Sequence, residues 1–137
     1  MSRSGVIAGM NYVATDHLTR SCPNGTVANM SIGGTFSTAV NNAAKALVNS
    51  GVFLAVAAGG SGDNAANYSP ASEPLACTVG ASTQSDSVAT SSNYGALLDI
   101  YAPGQNILTT WLAGGTVRLL SRSFLHACSG HRSDNEP

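Results

Sequence analysis

Charge is the scarcest property of this sequence. Only 9% of its residues are charged, against roughly 25% in an average globular protein. Lysine occurs once, at Lys45, and the formal net charge is −1. Such a chain offers no electrostatic footprint for nucleic acid. Long apolar runs are also missing: none approaches the roughly 18 residues needed to cross a membrane. Neither nucleic acid nor membrane is therefore expected as a partner. The N-terminal stretch MSRSGVIAGM is too short and too mixed to read as a signal peptide. Cysteine is sparse and odd in number. Cys22, Cys77 and Cys128 lack metal-ligand spacing and leave at least one thiol unpaired or one partner missing.

What is present is a globular composition. With 137 residues, 43% of them hydrophobic, the chain suits one domain with a real core and not a disordered segment. Ser, Thr, Asn, Ala and Gly fill much of the remainder, a low-charge surface that fits secreted proteins better than cytosolic ones. Three N-x-S/T sequons occur, at Asn24, Asn29 and Asn67, and they matter only in a secretory pathway. Asn29 falls in a segment read as a buried strand.

The stretch GVFLAVAAGGSGDNAANYSP, Gly51 to Pro70, organises the chain. Val52 to Ala58 is apolar without alternation, which predicts a strand buried on both faces. Glycines then turn the backbone out of the sheet, the usual place for a ligand in an open α/β fold. Before it, Val40, Ala43, Ala44, Leu47 and Val48 form one apolar helix face, with Ser37 as N-cap and Gly51 just past the end. Val27 to Ile32 reads as a strand, so strand, helix and strand make a βαβ unit with a parallel pair. A first helix is predicted from Ser4 to about His17. Further strands are predicted at Cys77 to Ala81, Leu97 to Tyr101 and Ile107 to Trp111. Tyr68 to Pro74 reads as irregular and Ser82 to Asn93 as a polar surface stretch.

Gly60 to Ala65 matches G-x-G-x-x-A. A dinucleotide site needs a helix to open there, and Ala65 is followed within five residues by Pro70, room for barely a turn. Taken alone, the glycines serve a tight turn with positive φ.

Several separate motifs decide further. AVAAG (55–59), NYSPASEP (67–74), CTVGAS (77–82), SNYG (92–95) and LDIYAPG (98–104) together resemble a subtilisin-family serine protease of the fungal proteinase K-like branch. ANMSIGG (28–34) and IAGMNYVATD (7–16) fit the same branch, and the match is collinear from about Gly5 to Gly115. The resemblance implies an extracellular serine endopeptidase. Its fold would be α/β, here a partial subtilisin-like doubly wound parallel sheet with flanking helices. It implies a partial peptidase domain over 1–115 and an unrelated, poorly ordered tail over 116–137.

The family works through an Asp, His, Ser triad and an Asn in the oxyanion hole. The resemblance places the family's Asp and His before the segment matching residues 7–16; Asp16 and His17 match neither. Ser123 falls near the expected nucleophile spacing, but Arg122 and Phe124 break the motif of small residues. No catalytic residue is therefore assigned. Gly60 stands where the oxyanion Asn belongs, a loss of a donor that typically contributes about 3–4 kcal/mol in the transition state.

What the resemblance leaves is a substrate wall for a peptide or protein segment. Ser31, Ile32 and Gly33 would pair with peptide backbone, and Ala57, Ala58 and Gly59 would line the pocket for the side chain before the scissile bond. A structural Ca²⁺ site is implied at the backbone oxygens of Pro74 and Ala76 with the carboxylate of Asp99, hard ligands that suit the ion. The family partners of Cys22 and Cys77 would lie upstream and downstream of the chain, and Cys128 has no family counterpart. An inactive endopeptidase is thus expected, with a catalytically dead peptide-binding module or a non-functional truncated product as alternatives.

Overall fold

A computed structural model describes residues 2–110 and 116–120. Helix α1 (Arg3–Asp16) begins one turn-position earlier than the sequence suggests. Its cap is Ser2, not Ser4, because the Ser2 hydroxyl accepts from the Gly5 amide at 3.2 Å, the N3 donor that an N-cap side chain satisfies. Its apolar face comes down to one fully buried residue, Met10, with Val6, Ile7, Val13 and Ala14 partly buried around it.

Strand β1 (Thr26–Met30) leads through 31–33 to the short β2 (Gly34–Thr35) and then to helix α2 (Thr38–Asn49). Ser37 holds the N-cap position without a side-chain capping bond; its amide donates to the Ser69 hydroxyl instead, at 2.9 Å. The far end follows expectation: Gly51 takes φ +98, and its amide returns to Val48 O at 2.9 Å, a left-handed exit that a glycine makes without strain.

β3 (Val52–Ala57) pairs in parallel with β1, Thr26 opposite Val52 through Met30 opposite Val56. The predicted βαβ unit is therefore present. β5 (Cys77–Ser82) and β6 (Ile100–Pro103) extend the sheet in the order β1-β3-β5-β6, all parallel. β4 (Tyr68–Ser69) pairs antiparallel with β2 inside the stretch read as irregular. β7 (Gln105–Thr110) forms an antiparallel pair with β8 (Thr116–Leu120). Thr116–Leu120 open the stretch assigned to the tail; 121–137, with Ser123 and Cys128, and Trp111 lie outside the described residues.

Val52, Leu54 and Val56 alternate onto one sheet face, where Met10 and the Val40, Ala43, Ala44, Leu47 stripe cover them. Ala55, Val79 and Ala102 form a smaller cluster. Phe53 corrects the expectation of a strand buried on both faces: it is 43% exposed, and so is its register partner Val27, at 57%. An unbroken apolar run hides this difference because its two faces carry the same residue types. Asn29 is likewise exposed on β1, not buried. Cys22 is free and exposed, whereas Cys77 is disulfide-bonded. The expectation that the Cys77 partner is missing from the chain is corrected accordingly.

Candidate functional site

Because β1 and β3 are adjacent, parallel and in register, they leave the sheet side by side at their C-terminal ends. Residues 31–34 and 57–61 therefore face one another across a cleft of about 260 Å³, closed at one side by Tyr68. All six residues expected to contact a peptide line it: Ser31, Ile32, Gly33, Ala57, Ala58 and Gly59. Gly60 lines it as well and is exposed. On the other side of 31–34 lies a larger hollow of about 480 Å³, with Val6 and Val40 among its walls and Arg3 the charged residue among its described lining. Arg3 Nη2 donates to Thr35 Oγ1 at 2.6 Å.

The floor of the cleft depends on a residue that the sequence reading passes over. Asn93, in the stretch read as polar surface, is completely buried. Its Nδ2 donates to Ala58 O at 2.8 Å, and its Oδ1 accepts from the amides of Ser61 at 2.9 Å and Asp63 at 3.2 Å. Its own amide donates to Gly59 O at 3.0 Å. One side chain thus uses both ends of its amide to fix the loop 58–63, giving each of its buried polar atoms a partner. The backbone of 62–65 is tied to the same segment through Gly62 N to Ser91 O and Tyr94 N to Asp63 O, both at 3.0 Å. The SNYG motif that carries the resemblance was the available signal.

Asp63 anchors the outer end of the loop. Its carboxylate accepts from the Asn64 amide at 2.7 Å, the Asn67 side chain at 3.2 Å and the Tyr68 hydroxyl at 3.3 Å. The Asn64 amide first, then Asn67, hold its pKa below the ordinary carboxylate value; burial opposes them, and Tyr68 adds a lesser lowering. A lowered folded pKa means the folded state favours the ionised form, so this contribution is full above about pH 4 and is lost as pH falls through the folded value. Stability measured by urea denaturation should therefore drop more steeply below about pH 4 in the native chain than in Asp63→Asn. Parallel curves would show that the carboxylate contributes nothing.

A family model of the subtilases, peptidase family S8, matches residues 6–133. This chain belongs to the subtilase family. The matched range spans the boundary expected at Gly115. The subtilisin-like serine protease AsES of Sarocladium strictum is 60% identical over 84% of this chain and 30% of its own length. The cuticle-degrading protease of Metarhizium anisopliae is 62% identical over the same shares. Proteinase R of Parengyodontium album is 56% identical over 82% of this chain and 29% of its own. A solved cold-adapted subtilisin-like serine proteinase superposes with a TM-score of 0.79 at 42% identity, covering 88% of this chain and 42% of that one. The subtilase chain thus spans about a third of the length of the curated relatives it matches, within the fungal proteinase K-like branch, and its α/β fold is the subtilisin fold.

Among the described residues, no histidine lines either hollow of this subtilase. His17, the one histidine among them, instead bonds the Ser50 hydroxyl at 3.2 Å beyond α2. Asp16 pairs with Arg20 on the surface. Asp99 directly precedes β6. It is exposed, and its Oδ2 accepts from the Thr78 amide at 2.7 Å. That contact sets the carboxylate against the start of β5, just after the turn Glu73–Ala76 closed by Ala76 N to Glu73 O at 3.1 Å. No cluster of three or more His, Cys, Asp or Glu side chains exists among the described residues. A cation here would rest on one carboxylate and backbone oxygens, a donor set of hard oxygens that fits Ca²⁺ and no softer metal.

Proposed function

We propose that this chain is the substrate-holding part of a subtilisin-like serine endopeptidase and, by itself, binds peptide without cleaving it. The observation that carries this is the single cleft in which 31–33 and 57–59 meet. An extended peptide lying along 31–33 would add a strand beside the exposed segment and drop one side chain towards Ala57, Ala58 and Gly59. Three small residues leave room there for a large apolar or aromatic group. The larger hollow across 31–34 would take a second side chain of the same peptide, under the guanidinium of Arg3.

What faces the cleft among the described residues supports the inactive reading. Peptide hydrolysis of this family type needs a base beside a nucleophile, and an oxyanion donor. The described cleft offers Ser31, Ser61 and Tyr68 as hydroxyls but no histidine to activate them, and Gly60 brings no side chain to the oxyanion position. A Ca²⁺ ion held by Pro74, Ala76 and Asp99 would brace the turn before β5, a structural role only. An extracellular setting agrees with the low charge and with the name of the cuticle-degrading relative. No described helix is long and apolar enough to cross a membrane.

Gly33→Val tests the cleft without disturbing the core. A Cβ at Gly33 would meet only Ser69 O, at an ordinary 3.8 Å, so the fold should be retained while the branched side chain fills the strand edge. Calorimetry with a tetrapeptide ending in phenylalanine should show binding by the native chain, with at least a tenfold loss in Gly33→Val and an unchanged thermal midpoint. A chromogenic anilide of the same peptide should show no turnover above a heat-killed control. Binding that is insensitive to Gly33→Val would remove the cleft from the account, and turnover would overturn the inactivity.

A further inference from the structure

Three sequons are present, and the fold treats them differently. Asn67 is exposed, but its Nδ2 donates to Asp63, and the serine two residues on, Ser69, is 4% exposed with its hydroxyl bonded to the Ser37 backbone. Asn29 lies mid-strand in β1, opposite Ala55 of β3, and its partner hydroxyl, Ser31, belongs to the peptide cleft. Asn24 is different. It sits in the turn closed by Gly25 N to Cys22 O at 3.0 Å, and it is exposed with no hydrogen bond to its side chain. Thr26 follows as the first residue of β1. This turn stands at the N-terminal end of β1, whereas both hollows open at the C-terminal end, so a bulky group here would leave peptide access free.

We propose that Asn24 is an N-glycosylation site. The side-chain amide nitrogen, Nδ2, would attack C1 of an oligosaccharide carried on a lipid pyrophosphate. The N–C1 bond forms as the C1–O bond to pyrophosphate breaks, the amide proton passes to a base on the transferase, and the lipid pyrophosphate leaves. No oxidation or reduction is involved. The folded chain accepts the product at Asn24 because no internal bond is lost and the sugar projects into solvent, a solubilising surface modification. At Asn67 the same product would give up a bond of the Asp63 network.

The inference rests on the extracellular reading only for its relevance in the cell, and the test separates the two by supplying a cleavable leader. The full chain is translated in vitro with microsomes, and the products are digested with an endoglycosidase and mapped by mass spectrometry. The native chain should yield an Asn24 peptide carrying a glycan that the enzyme removes. Asn24→Gln and Thr26→Ala should each abolish it, Thr26→Ser should retain it, and Asn67→Gln should leave it in place. Because transfer is read on the translocated chain, a variant that fails to fold still reports. An unmodified Asn24 peptide would overturn the proposal.

Discussion

Asn93→Ala is expected to collapse the cleft between 31–34 and 57–61 and to lower the thermal midpoint of the whole chain by about 10 °C. The truncation leaves Ala58 O and the amides of Ser61 and Asp63 without the partner that now satisfies them. A donor or acceptor stranded in a buried setting costs about 1–3 kcal/mol. Water entering the vacated space offsets part of that, so a total of roughly 3–4 kcal/mol is expected. The effect should exceed that of a surface substitution because Ala58 is buried at the end of β3, where the loop and the core share residues. Calorimetric unfolding gives the stability, and titration with the phenylalanine-ending peptide gives the cleft. Both should fall together, and Asn93→Asp should not restore them, since a carboxylate can accept from Ser61 and Asp63 but cannot donate to Ala58 O. A chain that loses stability while still binding peptide would show that the loop geometry does not depend on Asn93.

The course of the backbone was legible where the pattern is local. The apolar period from Val40 to Val48 and the glycine at 51 define α2 because both signals lie within the helix itself. The apolar run from Val52 was enough to identify β3 for the same reason. The failures are tertiary. No neighbour of Asn93 in the sequence says that it will be drawn beneath a loop some 30 residues earlier, and a stretch of Ser, Thr and Asp around it argues for solvent. Phe53 is exposed because of what packs on each sheet face, which a uniform run cannot encode. The cleft itself has no composition of its own: Ser-Ile-Gly and Ala-Ala-Gly are ordinary core and turn tripeptides. Only their parallel register, Met30 opposite Val56, brings them together, and before that register was known the family resemblance alone linked them.

The two neighbouring glycines of the loop differ in the room they leave for a side chain. Gly59 takes φ +103, and a Cβ there would lie 2.4 Å from Asn93 Nδ2. The backbone conformation alone costs an L-residue about 1–3 kcal/mol. The contact adds to it because the Asn93 amide is buried and held at both ends, so it cannot swing aside. Gly60, by contrast, is exposed and does not take a positive φ, so Gly60→Asn should fold as well as the native chain while returning a donor to the cleft. Gly59→Ala should be among the most destabilising single changes, and its cost should depend on Asn93. In an Asn93→Ala background the contact disappears and only the backbone strain remains. The double variant should then be more stable than the sum of the two single losses, by about 1 kcal/mol or more. Urea unfolding of the four chains measures this coupling directly. Strict additivity would mean that the two residues act on the loop independently, and that the floor of the cleft is set by the turn rather than by the amide beneath it.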